Sequence, residues 1–336
     1  MPAAVRRTTT TILIALACAL ILAGAALAGS GNGGVTPQNA GTPGAEGIQD
    51  AYLMIGGITL GIFVLVEGLL ILFIVRFRRR NRARTDDGPQ IHGSTRLELI
   101  WTVMPVLILV AIATFVFVKL PSIQDVPPAS AAGGRVDITV EGHQFYWLFR
   151  YPNGAVSINR MVAPVGKNVR LTVVAPDVDV IHSWWVPALG GKIDAIPGRV
   201  NHTWFQAPHT GTYRGQCAEL CGIEHASMKA EVDIVPVAQY ESYVAQQRRL
   251  LDAASPKLGR EEFEGVCQTC HRLQGPKLIG PTLGGNPLLA DRNGLADVVL
   301  HGRLQMPPVG AGWTDGQLDA LVAYTKTLTG GGATGG

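Results

Sequence analysis

The segment Cys217-Ala-Glu-Leu-Cys221-Gly-Ile-Glu-His225-Ala-Ser-Met228 gathers two thiols, an imidazole and a thioether within twelve positions, directly after a strand-like Thr212–Gln216. A cysteine, a following histidine and then a methionine, with a second histidine from an earlier strand, make up the planar His₂Cys set and weak axial Met of a single-copper electron-transfer site. His182, in Val180-Ile-His182-Ser-Trp-Trp185, is that distant histidine. The second cysteine changes the stoichiometry, because two thiolates can each bridge two metal ions. Each copper then has one imidazole and one weak axial donor, Met228 for one and the backbone carbonyl of Glu219 for the other. Two competing readings stand beside this one. A disulfide between Cys217 and Cys221 suits an exported domain but leaves His225 and Met228 without a role. Structural zinc favours Cys and His without Met. The softness of the donor set favours copper. His143, His202 and His209 read as satisfied or exposed strand histidines rather than ligands.

A second constellation, Cys267-Gln-Thr-Cys270-His271, has the spacing by which two thiols form thioether bonds to haem while the adjacent imidazole ligates the iron. Gly280-Pro281 follows at a distance suited to orienting that histidine, and Met306-Pro-Pro offers a second axial ligand. Met/His ligation raises haem potential, as an electron-transfer haem requires. A thioredoxin-like Cys-x-x-Cys or a zinc half-site would leave His271 and Met306 unexplained. His301 is a rival axial ligand, but its place just after a helical stretch points to the surface.

The elements that position these residues follow from composition and patterning. The chain of 336 residues is 47% hydrophobic and only 16% charged, a balance that concentrates its missing charge in lipid. The net charge of +3 comes with clustered basic residues, so nucleic acid is not an expected partner. Residues 1–28 read as a signal peptide, with Arg6 and Arg7, an apolar run Ile12–Leu22 containing Cys18, and the small-residue pattern Ala26-Leu27-Ala28. A Gly-rich exported segment, 29–50, leads to a transmembrane hairpin, 51–119, with spans at 51–75 and 97–118. The arginines between them, Arg76 to Arg84, hold this short loop in the cytoplasm and place everything after Val118 outside. Glu67 and Glu98 would be costly facing lipid, which implies a partner subunit or a water-filled path, although Glu98 lies close enough to its helix end to snorkel. A Pro/Ala/Gly linker, 120–134, precedes short Val/Ile/aromatic segments separated by turn residues, the pattern of a small β-sandwich over 135–236. Residues 237–258 read as a linker helix, 259–330 as a small all-α haem domain closed by a helix at Leu318–Leu328, and 331–336 as a Gly-rich tail.

Three segments together, Cys217–Met228, His182-Ser-Trp-Trp-Val-Pro-Ala-Leu-Gly-Gly-Lys-Ile-Asp-Ala-Ile-Pro-Gly198 and Glu141-Gly-His-Gln-Phe-Tyr-Trp147, resemble subunit II of haem-copper cytochrome c oxidase, a likeness covering Tyr52 to Pro236. The resemblance implies a cupredoxin-like sandwich holding the binuclear copper centre CuA through His182, Cys217, Glu219, Cys221, His225 and Met228. It also implies magnesium shared with subunit I at the Glu219 side chain, and Glu98 at the entrance of a proton-uptake path. The chain departs from the family in one place: many members carry Trp where this one has Phe145, and that Trp admits electrons from soluble cytochrome c. Residues 259–329 resemble a class I cytochrome c, with haem c held by Cys267, Cys270, His271 and Met306. The expected function is the electron-entry subunit of a proton-pumping terminal oxidase in a bacterial-type cell membrane. The copper and haem domains are expected on the outer face, with subunits I and III and an external donor, a cytochrome c or a quinol-oxidising complex, as partners. No residue of this chain is expected to perform oxygen chemistry. The same subunit in a nitric oxide reductase, or a membrane-tethered copper-delivery protein, are the alternatives.

Overall fold

The computed structural model of the protein describes residues 39–78, 90, 92–128 and 134–330. The signal segment with Cys18, most of the arginine-rich loop and the Gly-rich tail lie outside the described residues. The chain forms two compact units, one containing Gly47–Ile123 and the other containing Asn39–Glu46 and the chain from Gln124 onward.

Helix α1 (Pro43–Arg76) begins ahead of the expected Ala51. The Thr42 hydroxyl accepts a bond from the Ala45 amide (3.1 Å) and Pro43 occupies the first helical position, so the start is a capped one. Helix α2 (Thr95–Gln124) runs past the expected end at Val118 and through Pro105 and Pro121. Near Pro121 the Ser122 hydroxyl donates to Lys119 O at 2.7 Å, which supplies a local polar contact where the proline ring removes one. Thr102 and Thr114 donate to the carbonyls of Glu98 and Val110, each at 2.8 Å, so their hydroxyls are satisfied within the helix itself. Both helices are long and apolar enough to cross a membrane, and their apolar side chains are exposed along their length.

The second unit contains a sandwich of two five-stranded sheets. One has the order β3-β2-β1-β5-β8, with β1 at Arg135–His143, β2 at Tyr146–Arg150, β3 at Val156–Ile158, β5 at Asn168–Val174 and β8 at Asn201–Phe205. The other has the order β4-β10-β9-β6-β7, with β4 at Arg160–Pro164, β6 at His182–Trp185, β7 at Ile193–Ala195, β9 at Gly211–Cys217 and β10 at Lys229–Val235. Pairs β1/β5 and β4/β10 are parallel, the other pairs antiparallel. Trp184 anchors the space between the sheets, edge-on to Trp147 and Phe149 at 5.1 and 5.5 Å. Strands β1 and β2 form a hairpin in which His143 pairs with Tyr146 across a two-residue turn. The turn residues, Gln144 and Phe145, carry none of the Gly, Pro, Asn or Asp signals from which turns are read.

Four helices follow: α3 (Val237–Asp252), α4 (Pro256–Gly265), α5 (Arg292–His301) and α6 (Asp315–Gly330). Ser255 caps α4 by accepting from the Lys257 amide and Pro256 takes its first turn, which explains the break after α3. These helices share a core with the sandwich. Tyr146, Leu148, Val156 and Ile158, on the outer face of the β2–β3 edge, pack in one buried cluster with Leu258, Phe263, Val266 and Trp313. Strand β2 is therefore buried on both faces, Trp147 and Phe149 inward and Tyr146 and Leu148 toward the helices, and this is why it reads Tyr-Trp-Leu-Phe without polar alternation. Asn159 donates to Gly265 O (3.0 Å) and Arg150 to Gly312 O (2.9 Å) across the same junction. Among the described residues, no ion pair crosses between the sandwich and the chain from Pro256 onward.

Behind this junction Glu262 is 0% exposed, and neither of its carboxylate oxygens has a hydrogen-bond partner. Burial holds its carboxyl well above the usual range; the Gln317 amide nearby offsets this in part, and the Glu261 charge adds to it. The folded chain keeps a proton that the unfolded chain releases once the pH passes about 4.3. The stability contributed by the neutral form is thus complete below that value and is lost as pH rises through the folded pKa. Glu262→Gln is expected to flatten the alkaline fall in stability, measured by urea unfolding of the full chain from about pH 5 to about pH 9. An unchanged pH profile would mean that another group titrates.

Candidate metal centre

Strand β6 opens with His182, strand β9 ends with Cys217, and the loop from there to β10 carries Cys221, His225 and Met228. The β6–β9 pairing sets Trp184 opposite Cys217, which draws the loop over His182. The two cysteine sulfurs lie 3.9 Å apart. His182 Nδ1 is 3.9 Å from the Cys217 sulfur, and His225 Nδ1 is 3.6 Å from the Cys221 sulfur. Met228 Sδ lies 3.9 Å from Cys221 and Glu219 O 3.2 Å from Cys217. Two thiolates each about 2.3 Å from a shared ion can be at most about 4.6 Å apart, so the sulfur spacing suits a bridging pair. Each sulfur also has its own imidazole and its own weak donor. The residues present therefore suit a soft metal such as copper, and both cysteines are free thiols rather than a disulfide.

The electrostatics prepare the pair for metal. A hydrogen bond from the Cys221 thiol, opposed by burial and helped by His182, holds the Cys217 thiol well below its ordinary range, while the same contact with burial pushes Cys221 up. Burial alone would lower the His182 pKa, but the carboxylate of Asp179, 3.1 Å from Nε2, together with Cys217 outweighs it and raises the value. That bond also fixes Nε2 as the protonated nitrogen and turns Nδ1 to the sulfurs. Asp179 further accepts from the Gln144 and Val180 amides at 3.2 and 2.7 Å, and its side chain is only 4% exposed. Its partner in sequence, Asp177, is exposed. What looks in sequence like an acidic surface pair is one solvated carboxylate and one that orients a ligand.

The haem motif folds as a single tight turn, with the Cys270 and His271 amides both bonded to Cys267 O at 3.2 and 2.9 Å. This presents two free thiols and the imidazole from one turn. His271 Nδ1 donates to Pro281 O at 2.8 Å and leaves Nε2 for iron. The ring lies so close to Gly280 that a Cβ there would be 2.3 Å from it, which is why glycine precedes the proline. Met306 lines a cavity of about 550 Å³, a volume within the usual cofactor range of roughly 300–1,000 Å³. The opposite wall of that cavity is Gln144 and Phe145 at the β1–β2 turn with Gly222 and Ile223 of the copper loop. Gln144 donates to Cys221 O at 3.0 Å, so the turn is tied to the copper loop directly. Cys267, Cys270 and His271 on one turn, with the imidazole oriented by Pro281 O, fit a covalent haem, while the Met306 loop faces the copper loop across the cavity. His301 lines the same cavity, but its Nδ1 lies 3.1 Å from the Asp297 carboxylate on its own helix.

Of the remaining expected residues, Glu219 is exposed beside Leu220, which is 79% exposed, and Glu98 sits in the first turn of α2. His143 is fully buried against Tyr146, while His202 and His209 are exposed. Asp179, Tyr146 and Arg150 were not legible as functional from sequence. The signal for Asp179 is only its place three residues before His182 in a turn, and for Tyr146 the unbroken apolar run of β2. Asp179→Asn is expected to weaken copper retention by roughly 10–100-fold in chelator competition, whereas Asp177→Asn leaves it unchanged. Equal effects of the two would remove the orienting role.

Comparison with known proteins places the chain in a family. The family model described as cytochrome c oxidase subunit II, transmembrane domain, matches residues 30–118, and that described as cytochrome c oxidase subunit II, periplasmic domain, matches residues 155–235. The model described as cytochrome c oxidase, cbb3-type, subunit III, matches residues 254–324. Cytochrome c oxidase subunit 2 of Alkalihalophilus pseudofirmus is 33% identical over 306 residues, covering 85% of this chain and 88% of that one. The subunit 2 of Cereibacter sphaeroides is 34% identical over 258 residues, covering 64% and 81%. The crystal structure of the periplasmic domain of cytochrome oxidase subunit II from Bradyrhizobium japonicum is 38% identical, covering 37% of this chain and 97% of that one with a TM-score of 0.34. With a relative aligned over most of both chains, and family models on the membrane, sheet and helical regions alike, the chain belongs to the cytochrome c oxidase subunit II family and carries a fused cytochrome c domain.

Proposed function

We propose that the chain is the electron-entry subunit of a proton-pumping haem-copper oxidase, set in the cell membrane with its sandwich and haem domain on the outer face. The observation that carries this reading is the shared cavity, with Met306 on one wall and Phe145, Gly222 and Ile223 on the other. When bound, haem c and the copper pair supply one-electron chemistry, taking electrons from an external donor and delivering them to subunit I, where oxygen is reduced to water. The chain's own residues do the placing. Cys267, Cys270, His271 and Met306 would hold the haem, and His182, Cys217, Cys221, His225, Met228 and the Glu219 carbonyl the two coppers. Asp179 and Pro281 O fix the tautomers of His182 and His271. Phe145, where many family members carry the Trp that accepts electrons from soluble cytochrome c, lines the cavity opposite Met306. A diffusing donor then has no need of that residue, because the electron arrives through the attached domain.

The exposed Glu219 carboxylate is the candidate for magnesium shared with subunit I, and Glu98 the candidate for the start of a proton path in that partner. The basic loop from Arg76 supports an inner-face placement of the helix ends, hence an outer-face placement of the metal domains. Subunit III and a cytochrome c or quinol-oxidising donor complete the assembly on this reading.

The purified complex is expected to contain two coppers and one covalent haem per chain, with one unpaired electron spread over both coppers in the oxidised state. Cys217→Ser is expected to abolish that shared-electron spectrum, and a single copper per chain would contradict the assignment. The transfer of electrons between the two sites is expected to change little from low to high salt, because the domains are held by apolar packing rather than charge. Flash-reduction kinetics on the intact subunit measure this. A steep fall with salt in the internal rate, rather than in reduction by the external donor, would contradict packed docking.

A further inference from the structure

Tyr146 belongs to the copper-binding sandwich, yet its hydroxyl lies within the haem domain. It donates to Val309 O at 2.5 Å and accepts from the Trp313 indole nitrogen at 2.8 Å. Its ring stands edge-on to Trp313, with centroids 6.4 Å apart, and stacks on His143 at 4.8 Å and 13°. The residue is fully buried, and burial first of all keeps the phenol pKa well above its ordinary value, so the hydroxyl remains a donor at physiological pH. Val309 lies three residues after Met306, and the two between are Pro307 and Pro308, whose rings fix φ and leave little slack. The loop's other holds are short-range: Arg303 and Met306 exchange backbone bonds at 3.0 and 2.9 Å, and the Gly310 amide donates to Val299 O at 2.8 Å. Four residues along β2, on the same face as Tyr146, Arg150 donates to Gly312 O while Glu141 holds its guanidinium from the neighbouring strand.

We propose that Tyr146 is a positioning residue for the haem of the neighbouring domain, clamping the loop that carries Met306 so that methionine ligation depends on docking of the two domains. The inference rests on the proposed function, since it takes Met306 as the sixth ligand. A thioether is a neutral, weak donor, so small displacements of its loop decide whether it or another ligand occupies the iron. Removing the hydroxyl deletes one bond to the loop and one to Trp313. Together these shift the balance between methionine-bound and methionine-free haem by roughly tenfold toward the free form.

The test uses the full-length subunit carrying copper and haem. Wild type, Tyr146→Phe, Trp313→Phe and the double variant are titrated in the ferric state with cyanide, which binds where methionine is displaced, while the long-wavelength sulfur-to-iron charge-transfer band is followed. Tyr146→Phe is expected to bind cyanide roughly tenfold more tightly, to lose intensity in that band and to lower the haem potential, with the copper spectrum unchanged. The double variant is expected to be little worse than Tyr146→Phe, because both substitutions break one shared unit. Unchanged cyanide affinity, band and potential beside an intact copper spectrum would overturn the clamp. If Tyr146→Phe fails to fold, Trp313→Phe loosens the same contact from the haem side and decides by the same readouts. A wild-type chain without the charge-transfer band would contradict Met306 as ligand, and so overturn the functional reading and this one together; an intact wild-type band with indifferent variants overturns the clamp alone.

Discussion

Strand β2 has no solvent side. Trp147 and Phe149 fill the space between the two sheets, while Tyr146 and Leu148 are covered by the helices of the haem domain. A strand with apolar residues on both faces must be covered twice. The haem domain supplies the second layer, burying Phe263 and Leu258 against Ile158 and Val156. With the helices held there, the Met306 loop faces the copper loop across a cavity that has Phe145 in its wall. The helix α3, which in sequence reads as a spacer, reinforces the arrangement through Arg248 to Asn153 O and Asn153 to Val244 O.

The copper loop depends on the same strand pair from its other end. The turn between β1 and β2 ties to Cys221 O through Gln144 and to Asp179 through its backbone amide, and Asp179 in turn orients His182. Gly142 packs so closely on His182 that a Cβ would lie 3.0 Å from the ring. One hairpin thus serves two jobs. Its tip braces the metal ligands, and its outer face carries the second domain.

Much of the chemistry was legible in sequence because it is local. Cys217 to Met228 is one loop, Cys267 to His271 one turn, and Gly280-Pro281 meets His271 as its spacing suggested. The two apolar helices and the sandwich class were legible from hydrophobic runs and turn residues. What sequence did not disclose is non-local. The hairpin at Gln144-Phe145 lacks turn residues, and β3 and β7, of three residues each, are too short for their pattern to register. The early start of α1 rests on a Thr-Pro cap outside the apolar run, and the extension of α2 beyond Val118 runs through a proline that normally marks a boundary. Asp179 resembled a surface acid because burial cannot be read from charge, and Tyr146 resembled any strand aromatic because its partners lie more than 160 residues away.

The central claim is that packing holds the haem domain in one position against the copper loop. Pulsed electron paramagnetic resonance on the oxidised full-length subunit measures it most directly, through the dipolar coupling between the ferric haem and the copper pair. The account predicts a single narrow separation that is the same at low and high salt. A broad distribution, or a mean that moves with ionic strength, would contradict it and describe two domains joined only by their linker.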